Sequence, residues 1–113
     1  MIWHNGIMID RKNRSIEHDY HTEHFPLREK SAREYAPNSR FECLCHLILQ
    51  PHSRGDLYER IYGDHPEGGP DMGIYIWDVR FQQWKPAIKR LSLQLIRWKR
   101  AGIMFFQLVP HVV

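Results

Sequence analysis

Apolar and polar positions change period several times along this chain, and each change predicts an element. Between Gln83 and Gly102, Ile88, Leu91, Leu95 and Trp98 recur at the three and four spacing of an amphipathic helix, with Trp84 one turn earlier. Pro86 suits a first helical turn, Lys99 and Arg100 complement the carboxyl end, and Gly102 reads as a left-handed cap. The runs on either side, Gly73–Phe81 and Ile103–Val109, are rich in β-branched and aromatic residues and read as strands. Strand, helix and strand with short joins predict a βαβ unit with parallel strands.

The first half repeats this order. Phe41–Leu49 reads as a strand, Phe25–Tyr35 as a shorter helix between Pro26 and Pro37, and the Asn5-Gly6 pair between short apolar runs predicts a hairpin turn. Asp56–Tyr62, inside the long Gln50–Met72 connection, predicts one or two helical turns. The expected fold is therefore α+β: a single domain over residues 1–113, arranged as a ferredoxin-like βαββαβ sandwich with a long insertion between its second and third core strands.

Composition narrows the class. At 113 residues with four Trp, five Tyr and five Phe, the chain can bury one core without a metal or disulfide staple. Cys43 and Cys45 do not make a zinc spacing and are expected to be reduced and buried. No apolar stretch approaches the roughly 20 residues of a membrane helix, and the first ten residues lack the pattern of a signal peptide, so a cytoplasmic protein is expected.

Charge supplies the main functional lead. Residues 1–78 hold nine Lys and Arg against thirteen Asp and Glu, a net of −4, whereas residues 79–113 hold seven Lys and Arg and no acid. On the expected helix, Lys89, Arg90, Arg97 and Arg100 would form a basic face opposite the apolar stripe, with Lys85 and Lys99 nearer its edge. Six like charges without acidic partners at helical spacing repel one another, and phosphates, an acidic protein surface or the acidic part of this chain could each supply the counter-charge, phosphates being the leading external candidate. Tyr75 and Trp77 would share one side of the strand before it, available for base stacking or for pairing two copies through their sheets.

Glu17–His24 concentrates three imidazoles and three carboxylates, so His18, His21 and His24 are candidate ligands for zinc, nickel or manganese. A nuclease-like metal enzyme would require them to converge with Asp64, His65 or Asp71. No cofactor motif occurs. The expected function is non-enzymatic binding of nucleic acid, or of a protein that binds it, as a small inhibitor or accessory factor of a nucleoprotein complex. The alternative is the metal-dependent enzyme. A homodimer is a further expectation, and a membrane partner is not expected.

Overall fold

The computed structural model describes residues 1–26, 39–62 and 81–112. Within them the chain is a mixed α+β structure with two antiparallel sheets and three helices.

Four short strands open it: β1 (Ile2–His4), β2 (Ile7–Asp10), β3 (Ser15–His18) and β4 (His21–His24), paired in sequence order as a meander. The β1–β2 turn is the expected Asn-Gly hairpin. Asn5 (φ 54°) and Gly6 (φ 79°) both take the left-handed conformation that such a turn needs. Side chains alternate across this sheet, so Ile7, Ile9 and Ile16 all point to one face and are wholly buried.

Helix α1 (Ser39–Leu49) replaces the expected strand over Phe41–Leu49. Phe41, Leu44, Cys45 and Ile48 are buried, while Glu42 and His46, four residues apart, stay partly exposed. That is a period of 3.6, which a nearly continuous apolar run also allows. A two-residue strand β5 (His52–Ser53) follows, then α2 (Arg54–Tyr62), which contains the helical turns expected at Asp56–Tyr62.

Helix α3 (Phe81–Arg90) leads into β6 (Leu93–Arg100) and β7 (Ile103–Pro110), so the expected helix over Gln83–Gly102 is half helix and half strand. The break has a local cause. Ser92 adopts φ 54°, its N–H donates to the Lys89 carbonyl at 3.0 Å, and His18 Nδ1 donates to the Leu91 carbonyl at 2.6 Å. The left-handed residue stops the helix, and a side chain from β3 satisfies one of its terminal carbonyls. Gly102 (φ 79°) is no helix cap: with Ala101 (φ 52°) it forms the tight turn between β6 and β7. Pro86 lies inside α3 rather than in its first turn, where its missing N–H removes one helical bond.

The expected strand over 103–109 is present as β7, but it runs antiparallel to β6, and the second sheet has the order β5-β7-β6. All strand pairs among the described residues are antiparallel. The described elements run ββββαβααββ rather than βαββαβ. Residues 27–35 of the other expected helix, and residues 73–80 with Tyr75 and Trp77, lie outside the described residues.

One hydrophobic cluster joins the parts. The inner face of the first sheet meets Phe41, Leu44, Leu47 and Ile48 of α1, Leu57 of α2, Trp84 and Ile88 of α3, and Leu93, Phe106 and Leu108 of the second sheet. Cys43 and Cys45 are buried thiols, as expected. Burial pushes the Cys45 thiol up to about 12, so it stays protonated and unreactive at neutral pH. No described helix is long and apolar enough to cross a membrane.

Candidate nucleic-acid interface

The β6–β7 hairpin is buried at one end and bare at the other. Leu93 is buried, Gln94 to Ile96 are half-buried, and Arg97, Trp98, Lys99 and Arg100 are exposed. Eight residues per strand give it a length of roughly 25 Å; toward its turn β6 is exposed, while Met104 and Phe106 of β7 still pack against the core.

Cross-strand register fixes what each face carries. Leu95 pairs with Leu108, Arg97 with Phe106 and Lys99 with Met104, so Arg97 and Lys99 continue the face that packs on the core. Trp98 pairs with Phe105 and Arg100 with Ile103 on the opposite, outer face. Arg97, Lys99 and Arg100 form no ion pair with another described residue. A length of edge strand with three cations in four residues and no carboxylate is a concentrated positive field.

The basic residues of α3 sit at the base of this hairpin. Lys85 and Lys89 line a cleft of about 380 Å³ with Asp19, Ile88, Ser92, Leu93 and His111. Arg90 is differently placed. Its guanidinium grips Glu23 of β4 through two bonds of 2.5 and 3.1 Å, which ties the end of α3 to the first sheet. Arg90, and with a smaller effect His21, hold the Glu23 carboxyl below its ordinary range. Arg90 therefore already has a counter-charge, whereas Arg97 and Arg100 have none among the described residues. The expected single basic helical face is instead two cationic patches, one on a helix and one on a strand.

The histidines do not come together. His18 and His21 face each other across the β3–β4 turn, while His24 pairs with Ser15 at the far end. Successive side chains of a strand point to opposite faces, so His24 lies on the other side of the sheet from His21, roughly 10 Å along the strand. His18 Nδ1 is committed to the Leu91 carbonyl, and His21 Nε2 donates to Glu23 at 2.6 Å. Among the described residues no group of three His, Cys, Asp or Glu is placed to hold a metal ion. Asp64, His65 and Asp71 lie outside the described residues.

A second polar cluster was not foreseen from the sequence. His52, 1% exposed, donates Nδ1–H to Asp56 one helical turn on, and its ring meets His46 edge-on at 5.7 Å between centroids. Burial lowers His46 from its ordinary value, and the hydrogen bond from His52 lowers Asp56. The four-residue spacing of His52 and Asp56 was the legible signal. His52 Nε2 has no partner among the described residues.

Comparison with protein-family models, with curated proteins and with solved structures finds no match to this chain.

Proposed function

We propose that this protein is a non-enzymatic nucleic-acid-binding module, an accessory factor or inhibitor of a nucleoprotein complex, that engages phosphates through the β6–β7 hairpin and the adjoining face of α3. The observation that carries this reading is the turn end of β6, where Arg97, Lys99 and Arg100 stand exposed with no carboxylate partner among the described residues. Stability gives no reason to gather three cations on one edge strand, because like charges close together cost free energy. Phosphate supplies the missing counter-charge, and each contact releases condensed counterions. Lys85 and Lys89 extend the positive surface toward the base of the hairpin.

The metal-enzyme alternative has less support. His24 is separated from His18 and His21 by the sheet itself, and the hydrogen bonds of the latter two serve the fold.

The test is anisotropy of labelled oligonucleotides titrated with protein at several salt concentrations. Changing Arg97, Lys99 and Arg100 together to Gln should weaken binding about a hundredfold at low salt and reduce the slope of log K against log salt by about 2 to 3. Absence of binding at low salt, or an unchanged slope in the folded triple variant, would refute the proposal. Binding only to an acidic protein would transfer the surface to that class of partner.

A further inference from the structure

The outer face of the hairpin carries chemistry that phosphate binding leaves unexplained. Trp98 and Phe105, directly opposed across the strands, stack with centroids 6.3 Å apart and ring planes 24° from parallel. They are not core residues. Trp98 is 37% exposed, and Ile103 beyond it is 52% exposed. The platform lies within two residues of Arg97, Lys99 and Arg100, and β6 is an edge strand among the described elements.

Resting on the nucleic-acid reading above, we propose that the Trp98–Phe105 pair is a stacking platform for unpaired bases, and that the ligand is single-stranded nucleic acid crossing the β6 edge. Alternation along the strand separates the two recognition tasks. Arg97 and Lys99 lie on the core side of the ribbon and Trp98 on the outer side, with Arg100 two residues along the same outer face. A flexible single strand wrapped over the edge can give its phosphates to the first pair and lay a base on the indole. Aromatic platforms beside a positive groove are the usual means of holding single strands without sequence preference, because every base has a π face.

Two other occupants fit less well. An intact duplex keeps its bases stacked within, so its backbone would meet the cations while the rings gained nothing. A second copy of this chain adding to the β6 edge would bring three cations of each strand close together, and charged edge strands resist such pairing.

The experiment compares a labelled 12-nucleotide oligothymidine with a 12-base-pair duplex by anisotropy at about 100 mM salt, using the wild-type chain, Trp98→Ala and Trp98→Phe. The single strand should bind at least tenfold more tightly. Trp98→Ala should weaken single-strand binding by about five- to fifty-fold with the salt slope unchanged, leave duplex binding unaltered, and be largely rescued by Trp98→Phe. Circular dichroism establishes folding of each variant. Should Trp98→Ala not fold, quenching of tryptophan emission by oligothymidine, lost in folded Trp98→Phe, reads the same contact. Equal or tighter duplex binding, or a Trp98→Ala loss shared by both ligands, overturns the platform while nucleic-acid binding stands. No binding to either oligonucleotide overturns both. A dimer by sedimentation equilibrium that Trp98→Ala dissociates would assign the rings to self-association and overturn the platform.

Discussion

The chain contains two kinds of antiparallel ribbon, and they are spent differently. In the first sheet, all four residues of β2 are buried, and Ile9 pairs with Ile16 in the middle of the core. In the second, β6 is buried only at its start and ends in four exposed residues. A ribbon whose side chains are covered is held by packing. One that leaves the core must be kept straight by its own ladder and cross-strand pairs, and its surface is free to meet something else. Loss of a side chain should therefore act on stability in the first ribbon and on binding in the second.

The largest contrast is expected between Ile9→Ala and Ile103→Ala. Removing the wholly buried Ile9 side chain should cost about 2 to 5 kcal/mol in denaturant unfolding, whereas trimming the half-exposed Ile103 should stay within roughly 0.5 kcal/mol. Equal losses would show that the hairpin end is packed after all. The cationic triple substitution reverses the order: it should leave the melting temperature unchanged or higher, because mutual repulsion is relieved, while reducing binding about a hundredfold.

The two tight turns sharpen the comparison at smaller scale. Gly6 and Gly102 both have φ 79°, and a Cβ at either would meet no atom within 4 Å, so strain rather than crowding decides the effect. Gly6→Ala and Gly102→Ala should each cost about 1 to 2 kcal/mol by the same measurement. A much smaller cost at residue 102 would mean that the β6–β7 turn can relax where the β1–β2 turn, joined to the buried β2, cannot.

The smallest effect concerns the Glu23–Arg90 contact that links the first sheet to α3. The folded Glu23 carboxyl titrates below its unfolded value, so its stabilisation is present above about pH 4.3 and fades as pH falls through the lower, folded value. Glu23→Gln should lower the melting temperature slightly at neutral pH and converge with the wild type in acid. A constant difference down to pH 2 would mean that the carboxylate charge is not what the contact uses.

The legible parts of the fold were those in which one residue pair or one period admits a single answer. Asn5-Gly6 announces its turn because both residues tolerate positive φ, and Ile103–Val109 is too short between Gly102 and Pro110 for anything but a strand. Ala101-Gly102 makes a turn of the same kind, yet alanine hides it, and the glycine reads equally well as a helix cap. Phe41–Leu49 was misread because a dense apolar run fits either period; the spacing of Glu42 and His46 held the decisive hint. The candidate site was legible as charge and misplaced in geometry. Arg97 and Arg100 are on a strand, and Trp98, read as core, faces outward beside them.

What the sequence determined by itself was its inventory: two cysteines without a zinc-site spacing and a carboxyl-terminal third without a single acid. Those follow from residue identity, and no folding event can alter them. Where α3 ends was decided by tertiary structure, because Leu91, Leu93 and Leu95 satisfy a strand while Ile88, Leu91, Leu95 and Trp98 satisfy a helix. The choice falls to Ser92 in the left-handed conformation and to the His18 imidazole on the Leu91 carbonyl, a contact across 73 residues that no local pattern encodes. The same long-range packing assigned Arg90 to Glu23 and left Arg97, Lys99 and Arg100 without an acidic partner among the described residues, since a charge is neutralised only by what the fold brings beside it.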